Sequence, residues 1–388
     1  FGNTEVNIYQ TDHTPQNTCP PDPTSGWTPE LLEANANNMQ YAIRYVFGGG
    51  DMSNYNPHKN KSALTHVWQC ENTIEDLYGG GNAASIGDYT NGYYTDVKLI
   101  IDGGRMHRVF GGGNGTVVAA NIYGQADTYI YGGLIDQAFG GSNNSGNIVL
   151  DSLHIEEGTT GCTKFIHEVF GGSSAAADWG DIVAKIECGQ NTQGISTFYG
   201  GSEHAEIIGN LTVNIMGGDL DYVFAGSKGT DSIPGNIKKY PTLQQIQEAP
   251  SGTYPDGLIT YLAEQAANGN DLYGTGGNVT LNLYGGTIKR AAFGGNDFSG
   301  RIEGKITVNV IDTVQNCPLY LEDLYGAGRS AAYEPIDPNI NSPEINVIHG
   351  IVHGTVYGGG QGASATVKAN PVVNIGYNPN TMAGIVAP

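Results

Sequence analysis

Short stretches in which hydrophobic and polar residues alternate recur along the chain. Residues 211–218 (LTVNIMGG) and 279–286 (VTLNLYGG) are clear examples, and residues 306–310 (ITVNV) repeat the pattern. Alternation with period two and many β-branched residues is typical of a strand with one buried face. The pattern therefore predicts many short β-strands, several of which end in a glycine turn.

An aromatic residue followed by glycine or another small residue is the second recurring feature. The eleven copies are at Phe47, Tyr78, Phe110, Phe139, Phe170, Tyr199, Phe224, Tyr273, Phe293, Tyr325 and Tyr357. Most neighbouring copies lie 29 to 32 residues apart, and the residue before the aromatic is apolar in every copy. A period in this range is typical of solenoids, propellers and other repeat arrays.

Each repeat has the order strand, turn, strand, turn, short strand, turn. We predict from it an all-β fold, a right-handed parallel β-helix of about eleven rungs with three short strands each. Such a rung buries its apolar residues only by stacking on its neighbours, and glycine supplies corner conformations that other residues avoid. A β-propeller is the main alternative, but the 20-residue interval from Tyr273 to Phe293 is too short for a four-stranded blade.

Four insertions interrupt the repeat, at residues 10–40, 51–66, 229–270 and 331–342. We expect them to be loops on one solenoid domain, residues 1–388, and that domain to be part of a longer chain, because the sequence starts without methionine and is strand-like at once. A short helix is predicted after Thr28, which can cap it, with Pro29 in its first turn. A second helix is predicted within residues 256–269 (DGLITYLAEQAANG).

Two sets of residues are candidates for binding. Tyr240, Tyr254 and Tyr261 are the best candidates for exposed, ligand-binding aromatic residues in the third insertion, although packing against the side of the rod is the favoured interpretation of all three. The second set is a column of outward-facing strand residues, Thr212, Asn214, Thr280, Asn282, Thr307 and Asn309. Stacked Thr and Asn form a flat uncharged surface for a glycan or another partner, although such residues are also simply compatible with solvated strands.

Composition and charge exclude several classes of protein. Glycine accounts for 59 of the 388 residues without a strict period of three, which excludes collagen. The formal net charge of −21 argues against nucleic acid and anionic membrane surfaces as partners. The sequence also has no apolar run long enough for a membrane helix.

The five cysteines are Cys19, Cys70, Cys162, Cys188 and Cys317. They contain no CxxC pair and no zinc spacing, which argues against a structural metal site. Cys162 and Cys188 both follow the alternating strand in successive repeats, so stacking predicts a disulfide between them. Cys19 and Cys70 are a weaker second pair, and one cysteine must stay unpaired. Disulfides would indicate an oxidising exterior.

The sequence predicts no catalytic residues and no cofactor. The outward acidic pairs, residues 75–76 and 322–323, lie eight rungs apart and cannot share a site. His349 and His353 are four residues apart, but the glycines around them indicate a turn rather than a helical pair of metal ligands. Whether a metal binds elsewhere is left open by the sequence.

The strand and the aromatic motif together follow the pattern T-x-N-[IV]-x-G-G-x-[IL]-x-x-[VA]-[FY]-G-G-[GNS]-N. Over nearly the whole chain outside the insertions, it resembles the glycine-rich repeats of large surface proteins and autotransporter-like adhesins of Bacteroidetes-type bacteria. The resemblance implies an extracellular, non-enzymatic rod at the bacterial cell surface, either an adhesin or a fibre or surface-layer segment. Its loops would bind a host or microbial surface glycan or protein, and no catalytic residue carries over.

A carbohydrate-active β-helix enzyme is the alternative function. Polysaccharide lyases, glycoside hydrolases and phage-type depolymerases are the classes to consider. We expect neither nucleic acid binding nor membrane insertion. Because a solenoid exposes open strand edges at its ends, we expect flanking domains or like subunits to cover them.

Overall fold

Two long parallel β-sheets run side by side through the protein. The computed structural model describes residues 4–11, 41–56, 61–88, 95–189 and 194–376. The first sheet has eleven strands, in the order β1 (Thr4–Ile8), β3 (Ala63–Val67), β5 (Val97–Ile101), β7 (Ile122–Ile130), β9 (Ile148–Ile155), β11 (Ile182–Ile186), β14 (Leu211–Ile215), β17 (Val279–Leu283), β19 (Ile306–Ile311), β21 (Glu344–His349) and β23 (Val372–Ile375). The second has ten, in the order β2 (Ile43–Phe47), β4 (Thr73–Tyr78), β6 (Arg105–Phe110), β8 (Gly133–Phe139), β10 (Lys164–Phe170), β12 (Ile195–Tyr199), β15 (Asp219–Phe224), β18 (Thr287–Phe293), β20 (Tyr320–Tyr325) and β22 (Val356–Tyr357).

The third side of the coil is closed by short parallel bridges. They join Tyr55, Ile86, Ile122, Ile148, Asp178 and Ile207 in series. The two-residue strands β13 (Ile207–Ile208) and β16 (Ile237–Lys238) continue the series. The predicted parallel β-helix is therefore confirmed, with a third strand shorter than expected. Parallel ladders also exclude the propeller, whose blades are antiparallel.

The core is one continuous column inside the stack. In β14, Leu211, Val213 and Ile215 are buried, and the two polar residues between them are partly exposed. Equivalent residues of both sheets form a single cluster that extends from Ile8 to Ile345. Each turn covers the apolar residues of the turns beside it, which is why the fold needs many repeats.

Ten of the eleven repeated aromatic residues stack into one ladder. Neighbouring ring centroids lie 4.6–5.2 Å apart. The exception is Tyr273, because Phe224 stacks directly on Phe293 at 4.7 Å. The expected rung at Tyr273 is wrong: Leu272 and Tyr273 imitate the motif but pack against the insertion. Residues 224–293 therefore form a single turn of the coil, which contains the long insertion.

Glycine follows the ladder rings because the next turn passes too close for a side chain. A Cβ on Gly111 would lie 2.2 Å from the carbonyl oxygen of Gly140. A Cβ on Gly140 would lie equally close, at 2.2 Å, to the carbonyl oxygen of Gly171. These contacts are far shorter than van der Waals distances, so the repeated glycines are required by the spacing of the turns.

The long insertion leaves the stack between β16 and β17 and carries two helices. Helix α1 (Leu243–Glu248) begins with a capping box between Thr242 and Gln245. Helix α2 (Asp256–Ala267) is the second helix that the sequence predicts. The helix predicted after Thr28, and Cys19, lie outside the described residues.

Two other expected insertions are shorter than the sequence suggests. Strand β3 begins at Ala63, so the expected insertion at residues 51–66 ends before that residue. Within residues 331–342, Tyr333 is buried and bridges to Val367 on the third side of the coil. Tyr333 therefore belongs to the stack, whereas Ile336 and Ile340 are 52% and 70% exposed and lie outside the core.

The predicted Cys162–Cys188 disulfide is wrong. The disulfides join Cys70 to Cys162 and Cys188 to Cys317, with Cα atoms 5.4 and 5.8 Å apart. The weaker pairing of Cys19 with Cys70 is wrong as well, since Cys70 is bonded to Cys162. Stacking alone would place Cys162 beside Cys188, but the segments that follow the strands differ in length. Cys188 stays near the end of β11, whereas Cys162 lies seven residues beyond β9 and reaches back across earlier turns.

Glycines on the intervening turns make room for these crossings. A Cβ on Gly103 would lie 2.4 Å from the Cys162 sulfur, and one on Gly132 would lie 3.0 Å from the Cys162 Cβ. At the second crossing, a Cβ on Gly285 would lie 2.2 Å from the carbonyl oxygen of Cys317. The strand-end GG pairs of the sequence therefore serve the disulfides as well as the turns.

Candidate functional site

The three candidate tyrosines of the long insertion attach it to the rod, as the favoured interpretation of the sequence predicts. Tyr240 is only 1% exposed, packs with Leu258, and donates a hydrogen bond from its hydroxyl to Asp181 Oδ1 at 2.8 Å. Burial raises the pKa of Tyr240 above its ordinary value. Tyr254 and Tyr261 are partly buried against the same cluster. The candidate role of Tyr240 as an exposed binding residue is therefore wrong, because the insertion has a small apolar core of its own.

The Thr and Asn residues of the first sheet form two in-register columns. Thr212, Thr280 and Thr307 lie beside one another on successive strands, partly exposed. In the second column each side-chain amide donates to the Asn of the preceding turn at 2.9–3.0 Å, along Asn374, Asn346, Asn309, Asn282 and Asn214. Asn309 and Asn346 are buried. The Asn column is thus a structural ladder, and it is not an open surface along its whole length.

A pair of exposed rings near the start of the first sheet forms a surface that we call the aromatic platform, Tyr9 and Trp68. Tyr9 is 59% exposed and Trp68 38% exposed, their ring centroids are 6.0 Å apart and their planes differ by 12°. Both residues come directly after first-sheet strands, β1 and β3, and lie side by side on successive turns. Two adjacent, nearly parallel rings therefore face solvent at one edge of the sheet.

The aromatic platform is held rigidly from below. The Trp68 indole N–H donates to Asn7 Oδ1 at 2.9 Å, and the His66 ring stacks on Trp68 with centroids 3.5 Å apart. His66 Nε2 in turn contacts Asp102 Oδ2 at 2.8 Å. A ring fixed in this way loses little conformational entropy when a ligand stacks on it.

A second aromatic group lies two turns further along the same sheet edge, about 10 Å away at the usual spacing of strands. Tyr129 stacks on His154 with centroids 4.7 Å apart, and the Lys98 ammonium lies 4.7 Å from the Tyr129 centroid on the neighbouring turn. Tyr131 continues this group at 6.2 Å from Tyr129. The first sheet therefore presents a row of aromatic and polar side chains rather than a single ring.

The aromatic platform is not among the binding candidates that the sequence predicts. Trp68 follows β3 in the order His66, Val67, Trp68, in which buried Val67 separates two outward-facing side chains. The alternation that is typical of the other strands is present here too, but the expected insertion at residues 51–66 overlaps the start of this strand. A strand that begins at Ala63 would have placed His66 and Trp68 on the outer face.

A small cleft lies between the third side of the coil and the start of α2. It has a volume of about 210 Å³ and is lined by residues that include Tyr123, Asn147, Trp179 and Asp256. The Trp179 ring meets Tyr254 edge to face with centroids 6.4 Å apart. Among the described residues, the Trp179 indole N–H has no hydrogen-bond acceptor. This cleft is the concave feature that the long insertion adds to the rod.

The outer face of the second sheet carries a charged cluster rather than isolated solvated residues. Arg108 makes two hydrogen bonds to Asp76, at 2.7 and 3.0 Å, and Asp76 is only 3% exposed. His107 lies between two carboxylates, 3.7 Å from Asp76 and 3.5 Å from Asp136. His167 contacts Asp136 at 3.1 Å. The expectation that these positions face water is wrong for Asp76.

The pKa values in this cluster follow from its pairing. Burial favours a higher pKa for Asp76, but hydrogen bonds from His107 and Arg108 outweigh burial and hold that pKa below its ordinary value. The hydrogen bond to Asp136 raises the pKa of His167. The carboxylates of this cluster are thus paired with arginine or histidine side chains. Asp76 remains ionised, so it is unsuited to act as a general acid.

The described part of the chain contains no group of three or more His, Cys, Asp or Glu side chains placed to hold a metal ion. His349 Nδ1 contacts the carbonyl oxygen of Asp312 at 2.5 Å, while His353 stacks on Tyr320. Each of these two histidines therefore has a different local partner. Neither α1 nor α2 has the length and apolarity that crossing a bilayer requires.

Comparison with protein-family models, with curated proteins and with solved structures finds no match. The site residues above therefore rest on geometry alone.

Proposed function

We infer that the protein is an extracellular, non-enzymatic surface rod, an adhesin or a fibre or surface-layer segment, that binds neutral glycans at the aromatic platform. The observation that carries the proposal is the exposed, nearly parallel pair Tyr9 and Trp68. Sugar rings have apolar C–H faces that stack on aromatic rings, and exposed apolar patches on soluble proteins commonly mark interaction sites.

Polar groups beside the rings supply the hydrogen bonds that a sugar requires. Asn7, Glu5 and Asp102 lie in the same part of the first sheet, where Asn7 Nδ2 donates to Glu5 Oε1 at 2.9 Å. The row continues to Tyr129 and Tyr131, so a glycan of several residues could follow the sheet edge. The net charge of −21 favours neutral over uronic-acid polymers, because acidic chains would be repelled.

The two disulfides support an extracellular location. Disulfides persist in oxidising compartments and are rare in the cytosol. A bacterial cell surface, with a host or microbial glycan or protein as the partner, fits this chemistry. The open strand edges at the ends of the stack fit the proposed flanking domains or like subunits.

A carbohydrate-active enzyme is the second candidate. The observation in its favour is His107, whose ring joins the carboxylates of Asp76 and Asp136 on the second sheet. Glycoside hydrolysis requires two carboxyl groups that flank the glycosidic bond to be cleaved. Against this candidate, ion pairing keeps the pKa of Asp76 low, whereas the general acid of such an enzyme needs a raised pKa.

Binding of the purified chain to an array of neutral and acidic glycans tests the proposal. We expect neutral glycans to bind, and Trp68→Ala and Tyr9→Ala to weaken that binding about tenfold each through loss of ring stacking. Tyr320→Ala is the matched control, since Tyr320 is 40% exposed on the other sheet. Unchanged binding in the Trp68→Ala protein would refute the platform, and release of new reducing ends from the bound glycan would favour the enzyme.

A further inference from the structure

A second concave site lies where the first disulfide crosses the sheet edge. It is a pocket of about 230 Å³, and Tyr131, Glu157, Thr163 and Lys164 are among the residues that line it. Cys162 forms part of the wall and is bonded to Cys70, so the segment that surrounds the pocket is fixed covalently to an earlier turn. The pocket is therefore a permanent feature of the fold.

Lys164 is buried in this pocket, and no carboxylate of the described residues forms an ion pair with it. It is the first residue of β10, it is 3% exposed, and it is the only lysine in the described chain that is buried. Its Nζ donates to the backbone carbonyl oxygen of Glu156 at 2.5 Å. By contrast, Lys228 forms an ion pair with Glu168 on the second sheet.

The surroundings of the Lys164 amine make its neutral form more populated than that of a solvated lysine. Burial lowers the pKa of Lys164 from 10.5 to about 8, although the nearby carboxylates of Glu157 and Glu156 oppose this shift. Roughly one amine in ten is then unprotonated at pH 7, a far larger fraction than for a solvated lysine. A neutral lysine amine at the wall of a pocket is the arrangement that enzymes and binding proteins use to form imines with carbonyl compounds.

We propose that Lys164 is a covalent attachment site for small aldehydes, which enter the pocket and form an imine with its amine. The Nζ lone pair attacks the aldehyde carbon, a C–N bond forms, and the carbonyl oxygen leaves as water after two proton transfers. The reaction is reversible and needs no oxidant or reductant. The pocket volume suits a polar aldehyde of a few heavy atoms, such as the open-chain form of a short sugar.

The experiment uses the intact wild-type chain with its disulfides. It is incubated at pH 7 with glycolaldehyde and cyanoborohydride, which delivers hydride to the imine carbon and leaves a stable secondary amine. Peptide mass spectrometry then gives the rate of labelling at each lysine. Lys368, whose side chain is 67% exposed, is the internal reference. We expect Lys164 to be labelled roughly tenfold faster than Lys368, since more of its amine is neutral.

The dependence on pH separates this site from accidental labelling. The Lys164 rate should level off above pH 8, whereas the rates at solvated lysines should continue to rise toward pH 10. Labelling of Lys164 no faster than Lys368, or labelling that requires prior unfolding in urea, would overturn the proposal. The result does not depend on the aromatic platform, because labelling is measured without a glycan, and the Lys164→Arg protein should keep all other labels.

Discussion

Asp151 and Asp178 are both buried within the stack and form a carboxyl pair. Asp178 accepts hydrogen bonds from the Ser173 backbone N–H at 3.0 Å and from the Ser202 hydroxyl at 2.7 Å. Among the described residues no donor reaches either oxygen of Asp151, so a carboxylate there would be unsatisfied. Burial and the neighbouring Asp178 raise the pKa of Asp151 well above 3.8. Asp151 is therefore protonated and donates to Asp178.

This pair makes the stability of the fold depend on pH. Asp151 stays neutral when folded but ionises above about pH 4 when unfolded, so its ionisation favours unfolding and stability falls as pH rises from there. We expect Asp151→Asn to raise the free energy of unfolding at pH 7, with a gain that shrinks toward pH 4. Urea denaturation of both proteins at several pH values measures this difference.

Asp178→Asn is the matched control for that prediction. An Asn oxygen in place of Asp178 Oδ2 can still accept from the Ser173 backbone N–H and the Ser202 hydroxyl, but the amide nitrogen cannot replace Oδ1 as the acceptor of the Ser173 hydroxyl hydrogen bond. This variant should therefore be less stable than Asp151→Asn at every pH. An Asp151→Asn protein that is less stable than the wild type at pH 7 would mean that Asp151 is ionised in the fold.

Single residues are where the sequence is least informative about this protein. Asp178 replaces an apolar residue in the column that contains Ile148 and Ile207, and only the bridge register reveals that it points inward. The exposure of Trp68 and the burial of Tyr240 depend on where a strand begins and on how an insertion packs. Local pattern does not specify either of these tertiary facts.

The aromatic ladder is the element that most clearly converts the repeat into stability. Phe139 is fully buried and has Phe110 and Phe170 on its two faces, each at 4.7 Å between centroids. Tyr357, at the far end of the ladder, stacks only on Tyr325 among the described rings and is 44% exposed. An aromatic ring therefore contributes more to the stability of the fold at the centre of the ladder than at its end.

We expect Phe139→Ala to lower the free energy of unfolding by about 3–5 kcal/mol, because the truncation leaves a cavity between two fixed rings. Tyr357→Ala, the control at the ladder end, should cost less than about 1 kcal/mol, since solvent already reaches that ring. Denaturant titration followed by circular dichroism measures both values. Equal losses at the two positions would contradict this prediction, because they would show that neither burial nor the number of stacked neighbours determines the loss of stability.

At the level of elements the sequence is a good guide wherever the period is unbroken. Period-two alternation and the regular aromatic spacing predict the strands and their parallel order, and the four-residue spacing of Leu258, Leu262 and Ala266 predicts helix α2. The prediction fails at Tyr273, where an insertion happens to contain the same Leu-Tyr-Gly motif, and at Ala63, where the irregular spacing concealed a strand. Both failures occur where the chain departs from the repeat and a local motif no longer indicates a turn.

Over the whole molecule, the two disulfides divide the rod into two stapled halves. Cys70 and Cys162 follow β3 and β9, while Cys188 and Cys317 follow β11 and β19. In the first sheet each pair of strands is separated by two others, so the two crossings are equivalent. The repeat alone predicts a disulfide between adjacent turns. It does not predict these two disulfides, because the segments that carry the cysteines differ in length from one turn to the next.

In a solenoid each turn contacts only its neighbours, so a covalent crossing should stabilise mainly the turns that it encloses. The Cys70→Ala/Cys162→Ala protein loses a closure that spans 92 residues, worth about 4.6 kcal/mol by chain entropy. Hydrogen exchange should therefore show lost protection in β3–β10, with β19–β21 still protected, and Cys188→Ala/Cys317→Ala should show the reverse. A uniform loss of protection in either variant would instead mean that the rod unfolds as one cooperative unit, with stability shared along its full length.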